Sequence, residues 1–362
     1  MILVVGSGIV GSWVAYQISK ISKEDVVVCD YAEHRGDGIS GRNSGVLHSG
    51  IYYPKESEKL KHCLRGYHLT LEFLKENHIP FDLCGKYITV GGNGDLSHKS
   101  EKLHLLYEKA LQYEINETNL IDHLESIHPF LKGNLALNIQ KTGVVAVPEY
   151  LKRLWEMCEA SGVLFLKGKK CSIENGSIYL TDVQDGSKEL AEVSGFVNAA
   201  GLYSDEIIRQ AGNHQYEIRP NKGEYFRLKK TLPLQKLVYP LPEEHSTALG
   251  VHYTFHLNGE AYAGPNSNWS SSKDDYKMET PRDAFYESLC NITNYYKEDD
   301  LSEGYVGLRP RLFKNGSAHT DFLIEQHPVD RPWLHLLGIE SPGLTSSPSI
   351  GEEVAKRIQS FL

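Results

Sequence analysis

The apolar and polar positions at the start of the chain predict a strand, a tight turn and a helix. Residues 2–5 are a continuous apolar run, as in a buried strand. After a glycine-rich turn, apolar side chains recur at helical spacing at Ile9, Val10, Trp13, Val14 and Ile18. The stretch "DVVVCD" then predicts a second strand that ends at Asp30. The chain therefore opens with a strand–helix–strand unit.

The rest of the chain mixes helical and strand patterns. Helical periodicity marks residues 55–78 and 96–113, whereas residues 171–195 alternate as short strands with Asn-Gly and Asp-Gly turn signals. From 216 to about 270 the chain is rich in strands and tyrosines, and helices are predicted across about 281–301. The last residues predict a strand, a glycine loop and a terminal helix.

These patterns predict an α/β fold with two domains. Strand–helix patterns return in the middle and at the end of the sequence, so we expect a discontinuous, Rossmann-like nucleotide-binding domain formed by residues 1–85, 144–215 and 303–362. The strand-rich remainder, residues 86–143 and 216–302, is predicted to be an inserted, mainly antiparallel domain that binds the substrate.

Composition narrows the class of protein. The 362 residues carry a formal net charge of -9, which argues against nucleic acid as a partner. No run reaches the roughly 18 apolar residues of a membrane span, and the first residues do not read as a signal peptide. The six cysteines are scattered without a C-x-x-C pair, so no metal site or disulfide framework is predicted. We expect a cytoplasmic protein, with peripheral contact at the inner face of a membrane left open.

The first turn has the spacing of a dinucleotide-binding motif. In G-x-G-x-x-G the glycines permit a tight turn, a close approach of the backbone to a pyrophosphate and close helix–strand packing. The phosphates would lie at the helix N-terminus, and the acid that ends the second strand would bind ribose hydroxyls. The predicted nucleotide contacts are Gly6, Gly8, Ile9, Val10, Gly11 and Asp30.

The loop after the second strand favours FAD over NAD. In an NAD-type domain another strand–helix unit usually follows at once, but here "GISGRNSGVLHSGIYYP" (38–54) intervenes. A polar, glycine-rich loop of this kind can place backbone amides along a second phosphate and against a larger ring system.

Longer stretches resemble one enzyme class. "RNSGVLHSGIYY", "NKGEYFRL", "LVYPLP", "LGVHYTFHLNGEAYAGPN" and "SPGLTSSPSIGEEVA" are similar to FAD-dependent oxidoreductases of the D-amino-acid oxidase class, which includes glycine oxidase and glycerol-3-phosphate dehydrogenase. Within that class they closely resemble the L-2-hydroxyglutarate dehydrogenase/oxidase family. The resemblance implies a two-domain, glycine oxidase-like fold and non-covalent FAD. It adds implied cofactor contacts at Arg42, Asn43, Ser44, Gly45, Ala200, Gly201, Gly343, Leu344 and Thr345.

The same resemblance implies a reaction and the residues that carry it. L-2-hydroxyglutarate, or a related 2-hydroxy acid, would be oxidised to 2-oxoglutarate by hydride transfer to flavin N5. An imidazole titrates near neutrality and suits the base for the hydroxyl proton, with His48 as the first candidate and His252 as its rival. Arg309, in "GYVGLRPRLF", would pair with the C1 carboxylate through its planar fork.

Further substrate contacts are implied at Tyr53, Tyr225 and Lys222. Lys222 stands in "NKGEYF", where the hydroxyglutarate enzymes usually carry arginine, and is the candidate for the second carboxylate. Oxygen and a quinone are both compatible as the electron acceptor.

Two other functions stay open. The G-L-R-P spelling around Arg309 is that of amine and amino-acid oxidases such as glycine oxidase. A non-catalytic, flavin-binding assembly factor would keep the nucleotide motifs, but it would not need the histidines and Arg309.

Overall fold

The computed structural model describes residues 1–91, 95–242 and 249–361. Its α-helices are α1 (Ile9–Ile21), α2 (Glu58–Glu76), α3 (Leu96–Gln112), α4 (Leu124–Ile127), α5 (Val147–Ala160), α6 (Ser204–Gln210), α7 (Arg282–Leu289) and α8 (Gly343–Gln359). The strands of the first half are β1 (Ile2–Val5), β2 (Val26–Cys29), β3 (Val46–Leu47), β4 (Phe81–Asp82), β5 (Lys86–Thr89), β6 (Thr118–Asp122), β7 (Leu135–Ile139), β8 (Gly143–Val145), β9 (Leu164–Leu166), β10 (Lys169–Glu174) and β11 (Ser177–Asp182). Those of the second half are β12 (Lys188–Ala191), β13 (Gly195–Asn198), β14 (Tyr216–Leu228), β15 (Leu237–Pro240), β16 (His252–Phe255), β17 (Ala261–Gly264), β18 (Asn268–Trp269), β19 (Leu301–Lys314), β20 (Ser317–His319), β21 (Leu323–Gln326) and β22 (Trp333–Leu337).

A six-stranded sheet forms the nucleotide-binding part, in the order β21-β22-β13-β1-β2-β9. Its strands are parallel except at the edge, where β21 runs antiparallel to β22. β1 and β2 are buried along their whole length, which explains their apolar, β-branched sequences. Because β1 and β2 are parallel neighbours, the turn after β1 and the acid after β2 emerge at the same edge. The predicted Rossmann-like core is confirmed.

A ten-stranded sheet forms the inserted lobe. Its longest pair is β14 with β19, antiparallel from Tyr216 opposite Lys314 to Leu228 opposite Leu301. Most pairs are antiparallel, and β15 with β5 is a parallel exception. The predicted antiparallel lobe is confirmed. The domain boundaries themselves stay a prediction, and the boundary placed at 303 falls inside β19.

Of two predictions for shorter segments, the structure matches one fully and the other only in part. The predicted meander at 171–195 forms the three-stranded sheet β10-β11-β12. The predicted helices across 281–301 reduce to α7 and a 3₁₀ turn at Glu298–Asp300. After α7 the backbone turns to the 131–132 segment: Lys132 N–H donates to the Ile292 carbonyl, and Leu131 bridges Thr293. These tertiary contacts outweigh the helical pattern.

Helix α8 makes close backbone contacts with two other helices, one of them at its first turn. A Cβ added at Gly66 of α2 would lie 2.3 Å from the Thr345 carbonyl oxygen, and one added at Gly351 would lie 2.8 Å from that of Trp13 in α1. Glycine therefore lets the helix backbones touch at both places. Among the helices that the structure describes, none is long and apolar enough to cross a membrane.

Candidate active site

A cavity of about 630 Å³ runs from the glycine motif to the tyrosine-rich face of the large sheet. Residues from both large sheets line it. Most of the site residues predicted from the sequence meet there: Gly6, Gly8, Ile9, Val10, Gly11, Asp30, Arg42, Asn43, Ser44, His48, Tyr53, Ala200, Gly201, Tyr225, His252, Arg309, Gly343 and Leu344. Gly45, Lys222 and Thr345 do not line this cavity.

The glycine turn at one end of the cavity leaves no room for side chains. Gly6 has a φ of +106°, and a Cβ there would lie 2.4 Å from the Ala199 carbonyl oxygen. A Cβ on Gly11 would lie 2.0 Å from the Gly6 carbonyl oxygen. Both distances are far shorter than real Cβ contacts. The turn and the start of α1, called the glycine cradle below, are therefore packed too closely to admit side chains at these two positions.

Polar groups organise this end of the cavity. Ser7 donates to the Asp30 carboxylate from its backbone N–H at 2.7 Å and from its hydroxyl at 2.8 Å. The Ser40 hydroxyl accepts a hydrogen bond from the N–H of Ile9, at the start of α1, at 2.9 Å. Sequence reasoning missed Ser40, because a serine in a glycine-rich loop carries no signal of its own.

The loop at 38–45 is held by its own side chains. The Asn43 amide donates to the Ser40 carbonyl at 2.6 Å and accepts from Gly45 N–H at 2.8 Å. The Tyr305 hydroxyl donates to the Asn43 carbonyl at 3.1 Å. Gly45 has a φ of +66° and its carbonyl accepts from Val145 N–H. Gly45 therefore shapes the loop from outside the cavity wall, which differs from the predicted cofactor contact.

Thr345 joins this loop to the first turn of α8. Its fully buried hydroxyl accepts a hydrogen bond from the backbone N–H of His48 at 3.0 Å. Thr345 thus positions the loop and does not line the cavity, in contrast to its predicted role, whereas Gly343 and Leu344 do. The N-terminus of α8, with its partial positive charge, opens onto the same cavity.

His48 and His252 lie on the cavity wall in neutral form. Removal from water lowers the pKa of each to about 3, with a further contribution from the charge on Lys86. His252 Nδ1 lies 2.9 Å from the Gly250 carbonyl oxygen, which can only accept, so Nδ1 carries the proton and Nε2 keeps its lone pair. His48 Nε2 lies 3.2 Å from the Ser341 hydroxyl.

Arg309 presents a cation to the cavity. Its guanidinium donates to the Asn221 side-chain oxygen at 2.8 Å and to the Asn266 carbonyl at 3.1 Å, both neutral acceptors. In the part of the chain that the structure describes, no carboxylate forms an ion pair with it. A Cβ on Gly223 would lie 2.8 Å from the guanidinium, so glycine makes space for Arg309.

Two tyrosines predicted from the sequence form another part of the wall. Tyr225 stacks on Tyr305 with ring centroids 4.3 Å apart. Withdrawal from water raises the pKa of both the Tyr225 and the Tyr53 hydroxyl, so both are neutral hydrogen-bonding groups at physiological pH.

Lys222 does not occupy the position predicted for it. The side chain is 1% exposed, and its ammonium lies 2.6 Å from Asp275 and 3.1 Å from Glu279. It also donates to the Lys277 carbonyl at 3.0 Å. Because its charge is already balanced by two carboxylates, Lys222 is a poor partner for a substrate carboxylate. The expectation of a second carboxylate site at Lys222 therefore loses its support.

Sequence reasoning also missed a buried ion cluster in the cavity wall. Glu340 Oε1 accepts from Lys59 Nζ and from Arg311, each at 2.8 Å. The three residues come from α2, β19 and the loop before α8, so only the fold brings them together.

The fold and the cavity define a dinucleotide-binding oxidoreductase of the flavoprotein type. The glycine cradle, Asp30 and the starts of α1 and α8 fit an elongated dinucleotide, and the loop at 38–45 runs beside them. The two histidines and Arg309 line the same cavity.

Comparison with known proteins assigns the family. The model of the DAO family, FAD-dependent oxidoreductases, matches residues 1–357, and the chain belongs to this family. The protein is therefore an FAD-dependent oxidoreductase.

Curated relatives match nearly the whole chain. L-2-hydroxyglutarate dehydrogenase of Indibacter alkaliphilus is 28% identical over 98% of both chains. The mitochondrial L-2-hydroxyglutarate dehydrogenase of Arabidopsis thaliana is 31% identical over 98% of this chain and 82% of its own length.

Solved structures share the fold. L-α-glycerophosphate oxidase of Mycoplasma pneumoniae, with FAD bound, superposes with a TM-score of 0.87 at 21% identity, covering 99% of this chain and 94% of its own. Glycine oxidase of Geobacillus kaustophilus gives 0.79 at 17% identity, with the same coverage. These likenesses confirm the predicted two-domain fold.

Gly11→Ala tests the cradle. Because the new Cβ would overlap the Gly6 carbonyl oxygen, α1 must move away from β1, and we expect at least about tenfold weaker retention of FAD. Gly195→Ala is the matched control, since a Cβ there makes only ordinary contacts with Ile2 and Ile358. FAD content is measured by absorbance after gel filtration. Full FAD content in Gly11→Ala would contradict the cradle.

The flavin is expected to be non-covalent, because the sequence has the dinucleotide-binding elements without a recognised flavin attachment site. Acid precipitation of the yellow protein should leave the flavin in the supernatant. Flavin that stays with the pellet would show a covalent link.

Proposed function

We propose that this enzyme oxidises L-2-hydroxyglutarate to 2-oxoglutarate with FAD as the oxidant. The observation that carries the proposal is the grouping of one buried arginine and two neutral histidines in a single cavity. Arg309 lies close enough to His252 for its charge to lower the pKa of that imidazole. The names of the full-length relatives supply the substrate.

The reaction removes a hydride from C2 and a proton from the C2 hydroxyl. The chemistry that bound FAD supplies is acceptance of the hydride. The proton needs a base, and a neutral imidazole is suited to this task. His48 is the first candidate because its loop is tied to the first turn of α8. His252 is the rival because its Nε2 keeps a lone pair once Nδ1 donates to Gly250.

Arg309 is proposed to bind the C1 carboxylate. Its two terminal nitrogens are held by neutral oxygens, which orients the fork without neutralising its charge. A carboxylate would supply the counter-charge and accept charge-assisted hydrogen bonds. Such a pair would hold C2 in one orientation relative to the base.

A substrate panel separates this function from its alternatives. Under anaerobic conditions L-2-hydroxyglutarate should bleach the flavin, and glycine, sarcosine and glycerol 3-phosphate should not. Bleaching by glycine or sarcosine would move the assignment to amine oxidation. If none of the four compounds bleaches the flavin, a flavin-binding assembly factor would be favoured.

His48→Ala and His252→Ala identify the base. Loss of the base should slow flavin reduction about 10²–10⁴-fold, the usual contribution of general base catalysis. We expect that loss in His48→Ala and a smaller one in His252→Ala, measured by stopped-flow absorbance at saturating substrate. The reverse order would assign the base to His252.

Arg309→Ala tests the carboxylate contact. Removing the partner of a desolvated carboxylate costs about 2–5 kcal/mol, or roughly thirty- to several-thousand-fold in kcat/KM. Arg309→Lys should recover only part of this, because an ammonium keeps the charge and loses the planar fork. Arg219→Ala is the control. It removes an arginine on β14, the strand next to that of Arg309, whose ion-pair partner Glu217 lies on β14 as well. An Arg309→Ala enzyme with unchanged kcat/KM would exclude the contact.

A further inference from the structure

We propose that Lys86 binds the distal carboxylate of a dicarboxylate substrate, with Tyr52 as a second donor. The inference rests on the proposed function and replaces Lys222 as the second cation of the site.

Lys86 begins β5 and is 1% exposed. Its Nζ lies 4.5 Å from the centroid of the Tyr52 ring and 5.1 Å from that of Tyr239. Both rings line the cavity, and the Tyr239 ring stacks on His252 at 3.8 Å. Lys86 itself does not line the cavity, and its ammonium lies behind these two rings. A substrate carboxylate would therefore reach it only where the rings move apart.

No carboxylate balances this charge among the described residues. Lys222 has two acidic partners and Lys59 shares Glu340, whereas Lys86 has rings around it and no ion pair. A buried ammonium without a partner costs several kcal/mol. That cost lowers the pKa of Lys86 to about 7. A buried cation of this kind is a prepared site for an anion.

Tyr52 supplies an independent sign of a missing ligand. Its hydroxyl is buried and has no hydrogen-bond partner among the described atoms, although the ring lines the cavity. Buried hydroxyls are normally satisfied, and leaving one unpaired costs about 1–3 kcal/mol. A substrate carboxylate beside these two residues could accept a hydrogen bond from the Tyr52 hydroxyl and pair with the Lys86 ammonium.

Both cations act electrostatically on the histidines. The charge of Lys86 lowers the pKa of both His48 and His252, and the charge of Arg309 lowers that of His252. His252 therefore lies within electrostatic reach of both. A substrate with carboxylates at its two ends would place its C2 hydroxyl between the cations, beside the imidazoles. This arrangement favours a dicarboxylate over a short monocarboxylate.

Kinetics with a matched pair of substrates test the proposal. L-2-hydroxyglutarate and L-2-hydroxypentanoate have the same carbon chain and differ in the distal carboxylate. Lys86→Met should raise KM about tenfold to a hundredfold for the first substrate only, the contribution of one charged hydrogen bond. Equal changes for both substrates, or none, would overturn the inference.

Lys236→Met is the control variant. Its ammonium is held by the Cys84 carbonyl, Asn138 and Gln140, so its hydrogen bonds are made within the protein. It removes a half-buried lysine from the same part of the sheet, so it should leave both KM values unchanged. FAD content and the turnover of L-2-hydroxypentanoate report whether each variant is folded.

Proton uptake on binding gives a test that does not depend on turnover. At pH 8 most Lys86 side chains of the free enzyme are neutral, and a bound carboxylate raises the pKa, so glutarate should bind with uptake approaching about one proton. Pentanoate should bind without it. Calorimetry in two buffers of different ionisation enthalpy measures the uptake, and Lys86→Met should abolish it.

The other groups facing Lys86 do not account for such uptake. Burial raises the pKa of the Tyr52 and Tyr239 hydroxyls and raises that of the Cys63 thiol to about 12, so these are already protonated at pH 8. His48 and His252 start from a pKa of about 3 and stay neutral.

The outcomes separate the two proposals. If glutarate binds with proton uptake but the enzyme does not oxidise L-2-hydroxyglutarate, the proposed function is overturned and the dicarboxylate site is kept. Oxidation of L-2-hydroxyglutarate without uptake in the wild-type enzyme would overturn the role of Lys86 alone.

Discussion

Direct backbone contact at glycines is the constraint on which the rest of the structure depends. Gly11 lets α1 touch the turn after β1, and Gly66 lets α2 touch the start of α8. Gly307 does the same between lobes: a Cβ there would lie 2.3 Å from the Arg42 carbonyl oxygen, so β19 presses on the loop at 38–45. The cavity exists because three separate segments meet at distances that side chains would prevent.

The charges around the cavity follow from the same packing. The backbone route of β14 places Lys222 against Asp275 and Glu279, outside the cavity lining. On two strands of the same large sheet, Arg309 lines the cavity and Lys86 lies behind the rings of Tyr52 and Tyr239, each beside neutral groups. Burying a cation beside neutral groups is unfavourable in the free protein, and a bound anion would relieve it. Under the proposed function, this energetic cost would favour an anionic ligand.

Features that depend on neighbours in the sequence could be predicted, and features that depend on distant segments could not. The glycine turn, Asp30 and the Rossmann-like strands follow from local periodicity and spacing. Thr345 and Gly45 were predicted as cofactor contacts, and nothing in the sequence indicated the bonds they make to His48 and Val145, because these partners come from elsewhere in the fold. Among the described residues, the lack of an acid beside Lys86 depends on which side chains the fold brings around it. A lysine at the start of a strand gives no sign of it.

The cations also act on the base itself. An imidazole with a pKa of about 3 is a weak proton acceptor, since a general base works best when its pKa lies near the operating pH. Part of that low value comes from the positive charge of Lys86, joined at His252 by that of Arg309. A carboxylate that pairs with Arg309 would offset the contribution of that charge at His252. In the proposed reaction, binding of the C1 carboxylate would therefore make His252 a stronger acceptor for the C2 hydroxyl proton.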